Sequence, residues 1–208
     1  MGLCCFLLGA CADTAADRPQ GYRVRPEDTL YSIAWRHDLD YRDLARWNHV
    51  GADLRISVGQ VLLLRSPAEP HPPNSRVDAT PAGPSHGRES STHRWVSPTD
   101  RLGPPRAAQG GILLSGRMGQ DVRAASAGRV VYAGSGLRAY GNLIILKHAD
   151  SLLSAYGHNR ELLVRDGQEV AAGQVIAHMG EDARQAPTLY FEIRQDGKPI
   201  DPLPLIYR

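Results

Sequence analysis

The sequence predicts a multidomain fold: a small βααβ domain, a proline-rich disordered linker and a mainly antiparallel β domain. Three observations predict it. Residues 21–65 read as strand, helix, helix and strand, residues 66–93 concentrate proline, and residues 94–208 carry short apolar runs separated by glycines. With 208 residues and 42% hydrophobic content, the chain is long and apolar enough to form two cores.

The charge pattern excludes one broad class of function. The formal net charge is +2, and both signs are spread along the chain without a basic block. Because nucleic-acid binding needs a concentrated basic surface, we do not expect DNA or RNA as a partner.

Residues 1–20 are interpreted as a signal and tether. The three cysteines, Cys4, Cys5 and Cys11, all fall here, in or beside an apolar run too short to cross a bilayer. Leu8-Gly-Ala-Cys11 resembles a bacterial lipobox. That resemblance implies a lipid on Cys11, anchoring in a membrane and, with Ala12 next, the periplasmic face of the outer membrane. No Lys or Arg precedes the run, which leaves two alternatives open, a mis-assigned start codon and a chance apolar terminus.

The first domain, residues 21–65, is predicted from its apolar spacing and its capping residues. Residues 22–25 and 61–64 read as strands. Asp28 or Thr29 can cap a first helix, and Asp40 can cap a second one.

This domain resembles the LysM family through Tyr22-Arg-Val-Arg-Pro-Glu-Asp-Thr-Leu, Leu44-Ala-Arg-Trp-Asn and Leu54-Arg-Ile-Ser-Val-Gly-Gln. The resemblance implies binding of peptidoglycan glycan chains between two loops. By position, the implied contacts are Glu27, Asp28, Thr29, Leu30, Gly51, Asp53, Leu54 and Ile56. Helix capping explains Asp28 and Thr29 equally well without a glycan.

Residues 66–93 are predicted to be a disordered linker. Prolines alternate there with Gly, Ser, His and Asn, and few apolar side chains offset the entropy of ordering. We therefore expect the two flanking domains to move semi-independently.

The second domain, residues 94–208, is predicted to be antiparallel β. Its apolar runs include 128–134, 142–148, 152–156, 170–179 and 189–194. Asp196-Gly197 predicts a tight hairpin turn before Lys198. We expect His148 and His178 to be polar positions on the outer faces of strands.

These runs resemble the LytM or lysostaphin-type peptidase family, most closely its NlpD branch, through Gly128-Arg-Val-Val-Tyr-Ala-Gly, Tyr156-Gly-His-Asn and Leu189-Tyr-Phe-Glu-Ile-Arg. Active members bind one zinc ion with three ligands. The resemblance aligns those positions with Gln109, Leu113 and Tyr190, and a catalytic histidine with Thr188, whereas His158 is retained. We therefore expect no metal, no cofactor and no catalysis.

The resemblance implies a non-catalytic activator of a periplasmic N-acetylmuramoyl-L-alanine amidase, acting at the septum in daughter-cell separation. The predicted partner groove consists of Gln109, Leu113, Arg138, Tyr140, Tyr156, His158, Thr188, Tyr190 and Glu192. Two alternatives are a residual or unusual peptidoglycan endopeptidase and a purely structural peptidoglycan tether.

Overall fold

The computed structural model describes residues 21–66, 94–100 and 102–207. We refer to residues 21–66 as the N-terminal domain and to the remaining described residues as the C-terminal domain. Most of the predicted linker, and Cys11, lie outside the described residues. No helix in these ranges is long and apolar enough to cross a membrane.

The N-terminal domain has the predicted order of strand, helix, helix and strand. Its elements are β1 (Gly21–Arg23), α1 (Leu30–Arg36), α2 (Tyr41–Trp47) and β2 (Val61–Leu63). β1 and β2 pair antiparallel. Thr29 caps α1 through a reciprocal capping box with Ser32, and the Asp40 side chain accepts from the Arg42 N–H to cap α2.

The C-terminal domain is mainly an antiparallel sheet, as predicted. Its strands are β3 (Arg106–Ala107), β4 (Ile112–Ser115), β5 (Asp121–Arg123), β6 (Gly128–Gly134), β7 (Asn142–Lys147), β8 (Leu152–Leu162), β9 (Glu169–Val170), β10 (Val175–Met179), β11 (Thr188–Gln195) and β12 (Lys198–Ile200). A 3-10 turn (Arg138–Tyr140) precedes β7, and the short helix α3 (Leu203–Ile206) follows β12.

The central strand order is β3-β4-β11-β8-β7-β6-β9, while β5 pairs with β10, β10 with β8, and β12 with β11. The β11–β12 connection is the predicted hairpin: Gln195 pairs with Lys198, and Asp196 and Gly197 both have positive φ (49° and 76°). Positive φ at both central residues is the geometry of the type I′ hairpin turn.

Both faces of this sheet are covered by apolar packing. On one face Ile144, Tyr156 and Phe191 belong to a core formed by the C-terminal domain itself. On the other face Ile145 and Ala155 belong to a cluster that also contains the core residues of α1 and α2. We call this second face the docking face, because the N-terminal domain packs on it.

The docking contradicts the expectation of semi-independent domains. Leu137, Leu143, Ile145 and Leu153 of the C-terminal domain are all buried in the shared cluster. Burying an aliphatic side chain stabilises by about 1.5–3 kcal/mol. Separating the two domains would return part of this apolar surface to water, which opposes independent motion of the domains.

Polar contacts fix the orientation of the two domains. The Thr29 hydroxyl donates to the Val131 carbonyl oxygen at 3.2 Å. Arg42 pairs with Asp196 at 3.1 Å and donates to the Ser151 hydroxyl. At Gly197 an added Cβ would lie 2.6 Å from the Asp40 backbone nitrogen, so the hairpin approaches the start of α2 as closely as a glycine permits.

Candidate functional site

The candidate site is built on one face of β11. Side chains alternate across a strand, so Thr188, Tyr190, Glu192 and Arg194 all lie on the docking face, opposite Leu189, Phe191 and Ile193. Tyr190 pairs across the sheet with Leu113 of β4 and with Gly157 of β8. A row of polar side chains therefore crosses an otherwise apolar surface.

The three positions that the sequence aligned with zinc ligands come together at one corner of this face. The Tyr190 hydroxyl lies 2.8 Å from the Gln109 carbonyl oxygen, and Leu113 is the cross-strand neighbour of Tyr190. The same hydroxyl bonds the Glu192 carboxylate. Burial, followed by the charge of Glu192, raises the pKa of Tyr190 far above its ordinary value.

Glu192 and Arg194 form a buried ion pair behind this corner. Arg194 Nε lies 2.6 Å from Glu192 Oε1, and the two side chains are 3% and 0% exposed, respectively. Burial raises the pKa of Glu192, and the adjacent Arg194 guanidinium opposes that rise. No ligand can reach Glu192 without a rearrangement. Its role in the site is therefore to hold Tyr190 and Arg194 in place, and it does not contact a partner as predicted.

Arg194 connects the site to the N-terminal domain. Its guanidinium donates to the Trp35 carbonyl oxygen at 3.1 Å, pairs with Asp38 at 3.1 Å and stacks 3.9 Å above the Trp35 ring. Arg194, Trp35 and Asp38 are not among the residues predicted from the sequence. The alternation that placed Tyr190 and Glu192 on one face also reaches Arg194, whereas nothing local pointed to Trp35 or Asp38.

Tyr140 and His158 lie beside Tyr190. The Tyr140 and Tyr190 ring centroids are 5.0 Å apart, and His158 is 6.0 Å from Tyr190. His158 has a positive φ of 62°, and its buried Nδ1 has no hydrogen-bond partner among the described residues. Burial lowers the pKa of His158, which favours the neutral imidazole. Arg138, in the 3-10 turn before β7, is exposed.

Tyr156 does not belong to this site, and its prediction as a groove residue is wrong. It lies on the opposite face of β8, fully buried against Phe191, and its hydroxyl accepts from the Ala125 N–H at 2.8 Å. Thr188 is on the correct face but is also fully buried. Neither side chain can touch a partner in this arrangement.

His148 is also placed differently from the prediction of an outer-face position. It is buried, and its ring nitrogens bond the Ala127 carbonyl oxygen and the Ser154 hydroxyl, which in turn bonds Tyr156. This chain satisfies polar groups inside the core. His178 is half-exposed between Glu161 and Asp121.

The predicted glycan contacts fall into two groups. Leu30 is 1% exposed in the core, so its side chain cannot contact a glycan, which contradicts that prediction. Asp28 is held by Tyr22 and Arg36, and Thr29 is used in the helix cap and the domain contact. The remaining positions are exposed or half-buried in the loops around the domain: Glu27, Gly51, Asp53, Leu54 and Ile56.

A cavity of about 820 Å³ opens next to Tyr190 at the junction of the two domains. Trp35, Arg36 and Asp38 line one side, and Gln109, Tyr140 and Tyr190 line the other. We call it the junction cavity. Its size is in the range of sites that enclose small ligands or a few residues of a peptide.

Family models assign both domains. A LysM domain model matches residues 22–65, and a Peptidase family M23 model matches residues 107–202. A putative peptidase M23 from Pseudomonas aeruginosa superposes with a TM-score of 0.50 at 23% identity, covering 56% of this chain and 51% of that one. At this identity the match shows the fold alone. The chain is therefore a protein that joins a LysM domain to an M23 peptidase-like domain.

Two relatives that match most of this chain identify its family. A Pseudomonas aeruginosa protein named Lipoprotein NlpD/LppB homolog is 39% identical, over 90% of this chain and 77% of its own length. The protein named Murein hydrolase activator NlpD of Escherichia coli K12 is 34% identical, over 88% of this chain and 66% of its own length. The chain belongs to the NlpD family.

Proposed function

We propose that this chain is a non-catalytic activator of a periplasmic N-acetylmuramoyl-L-alanine amidase, acting in septal peptidoglycan splitting and daughter-cell separation. Relatives named murein hydrolase activators support an activator role. We extend that role to an amidase as the activated hydrolase, to the septum as the place of action and to the separation of daughter cells as the outcome.

The corner formed by Gln109, Leu113 and Tyr190 is the observation that carries the proposal. Zinc sites in proteins use Cys, His, Asp or Glu ligands. Leu113 has no donor atom, and the Tyr190 phenol is kept protonated by burial and bonded to its neighbours. Among residues 21–66, 94–100 and 102–207, no three His, Cys, Asp or Glu side chains are grouped to hold a metal. The residues at this corner do not fit the zinc ion of an active M23 peptidase.

Attachment to the cell envelope is the second part of the proposal. The LysM match supports binding of peptidoglycan glycan chains through the exposed loop residues Gly51 and Asp53. The relatives named lipoproteins support a lipid on Cys11 and a position on the periplasmic face of the outer membrane. Both attachments would concentrate the activator where its partner works.

A binding protein without catalysis can activate an enzyme only by a population shift. It must bind the active conformation of the amidase more tightly than the inactive one. Leu113 and Tyr140 give the corner around Tyr190 an apolar and aromatic character, which suits a segment of a protein partner better than water or a metal.

The test is dye release from labelled sacculi by the full chain alone, by each candidate amidase alone and by mixtures of the two. We expect release to rise only in a mixture. Release by the full chain alone would identify an endopeptidase and contradict the proposal. If the chain increases dye release with none of the amidases, the proposal fails and a purely structural peptidoglycan tether explains the protein better.

A matched pair of variants tests whether the corner around Tyr190 is the contact. Leu113→Asp places a charge on half-buried Leu113 beside Tyr190, and Leu163→Asp does the same at a residue that is 44% exposed, away from the site. We expect Leu113→Asp to reduce activation by about tenfold or more, as for a central interface residue. Leu163→Asp should activate like the parent, and equal loss in both would contradict the assignment. Circular dichroism checks that both variants fold.

A further inference from the structure

The junction cavity has a charge pattern that the proposed function does not use. Its walls contain five cationic side chains, Arg25, Arg36, Arg138, Arg194 and Lys198, and one acidic side chain, Asp38. The excess of positive charge is concentrated in one partly enclosed space. Walls of low dielectric constant focus such a field outward from the opening.

Two of these cations are already neutralised within the protein. Arg36 pairs with Asp28 at 3.2 Å, and Arg194 pairs with Glu192 and Asp38. Arg25, Arg138 and Lys198 are exposed, and within the part of the chain that the structure describes none of them forms a salt bridge. The five cations thus exceed the three paired carboxylates, Asp28, Asp38 and Glu192, by two positive charges, and the exposed cations Arg25, Arg138 and Lys198 carry this excess at the cavity.

The cavity needs both domains. Arg25, Trp35 and Arg36 come from the N-terminal domain, whereas Arg138 and Lys198 come from the C-terminal domain. The shared apolar cluster and the Arg194 contacts hold the two walls together, so the cavity exists in the resting protein. It is a preformed site, which spares a ligand the cost of assembling it.

The chemistry of the walls defines the ligand. Guanidinium and ammonium groups bind carboxylates, and the half-buried Tyr140 ring beside Tyr190 offers an aromatic surface for one apolar side chain. The cavity also reaches Gln109 and Tyr190, so it is continuous with the corner assigned to the protein partner. This continuity favours a peptide over a lipid headgroup or a free phosphate.

We propose that the two domains together form one binding site for an acidic peptide segment, with Arg25, Arg138 and Lys198 binding its carboxylates and Tyr140 contacting an apolar side chain. The identification of that segment as part of the activated hydrolase rests on the proposed function. The N-terminal domain is thus a wall of the partner site in addition to a cell-wall anchor.

Charge reversal in the full chain tests the site. The triple variant Arg25→Glu, Arg138→Glu and Lys198→Glu changes the net charge by the same amount as the control triple Arg117→Glu, Arg165→Glu and Arg184→Glu. All three control residues are exposed and absent from the cavity walls. The probe is a fluorescein-labelled Glu-Leu-Glu-Glu-Leu-Glu peptide, with Gln in place of every Glu as its neutral counterpart, followed by fluorescence anisotropy at low ionic strength.

We expect the parent to bind the Glu peptide about tenfold or more tightly than the Gln peptide, with an affinity that falls as salt is added. The cavity triple should lose that preference and the control triple should keep it. Equal loss in both triples, or equal affinity for the two peptides, would overturn the proposal. So would the absence of binding by the parent at millimolar peptide.

The single variants test the part played by the N-terminal domain. Arg25→Gln and Lys198→Gln each remove one charge, from opposite walls of the cavity. We expect each to weaken binding of the Glu peptide by a similar factor of about threefold to tenfold. If Lys198→Gln weakens binding and Arg25→Gln does not, the site belongs to the C-terminal domain alone and the two-domain proposal is wrong.

Sacculus dye release with the same variants separates the two proposals. If the parent binds the Glu peptide but activates no amidase, the acidic-peptide site stands and the proposed function fails. If the parent activates an amidase and the cavity triple does so equally well, the function stands and the assignment of the acidic segment to the hydrolase fails.

Discussion

At the scale of single residues, the buried Glu192–Arg194 ion pair affects both the candidate site and the packing of the two domains. Arg194 satisfies a carboxylate of its own strand and, at the same time, a carbonyl oxygen and a carboxylate of the other domain. A charge removed from water so completely is stable only while its partner remains. The pair therefore links the interior of the candidate site to the docking of the N-terminal domain.

A double-mutant cycle on this pair gives the first prediction. Arg194→Met leaves Glu192 buried without its partner and should lower the free energy of unfolding by about 3–5 kcal/mol. Adding Glu192→Leu removes the uncompensated charge and should recover part of that loss. Urea unfolding of the parent, both single variants and the double variant measures the coupling. A double variant less stable than either single variant would contradict it.

At the scale of elements, the β11–β12 hairpin does more than connect two strands. Its turn residues contact the start of α2: Asp196 pairs with Arg42, and Gly197 lies against the Asp40 backbone. The sequence predicted this turn because Asp-Gly is a local signal for a two-residue hairpin. It did not predict the contact, because α2 lies on the other side of the linker.

Two glycines with nearly the same backbone conformation allow a controlled test of that contact. Gly197 (φ 76°) is crowded by Asp40, while Gly119 (φ 75°) has nothing within 4 Å of an added Cβ. Gly119→Ala should cost about 1–2 kcal/mol for the left-handed backbone alone. Gly197→Ala should cost about 1–3 kcal/mol more, because the methyl group clashes at the domain junction. Equal losses of stability in thermal or urea unfolding would contradict the close contact.

How far the sequence predicted the elements depends on how local their signals are. Of the two predicted candidates for the first cap the structure uses Thr29 and not Asp28, and it confirms the cap at Asp40; both were within reach of the sequence because capping needs only neighbouring residues. Tyr156 and His148 were misplaced, because a strand buried on both faces loses the polar alternation that distinguishes its two sides. One feature of the sequence did indicate that both faces of the sheet are buried. It is the unbroken apolar run Leu-Ile-Ile-Leu in β7, residues 143–146.

At the scale of the whole molecule, the two domains form one structural unit. They share an apolar cluster, a buried cation and a cavity. Sequence reasoning expected semi-independent motion from the proline-rich linker, and linker composition does predict local flexibility. It cannot predict docking, because docking depends on the complementarity of two surfaces that are distant along the chain.

Cooperative unfolding is the prediction at this scale. If the domains unfold together, differential scanning calorimetry of the full chain should show one transition, with calorimetric and van't Hoff enthalpies that agree. In a Trp95→Phe background, which removes the tryptophan of the C-terminal domain, Trp35 and Trp47 report on the N-terminal domain and the far-ultraviolet signal of the sheet reports on the C-terminal domain. Coincident midpoints for the two probes are expected. Two separated transitions would show that the shared cluster contributes little.

The shared cluster also bears on how such a chain can be recombined. A LysM domain from another protein, attached through the same linker, would lack the surface that fits Leu143, Ile145 and Leu153, and a partner domain from elsewhere would lack a place for Trp35. Linker-joined domains are ordinarily interchangeable parts. Here the unit that can be transplanted intact is the pair, and chimeras should be cut before residue 21 rather than within residues 66–93.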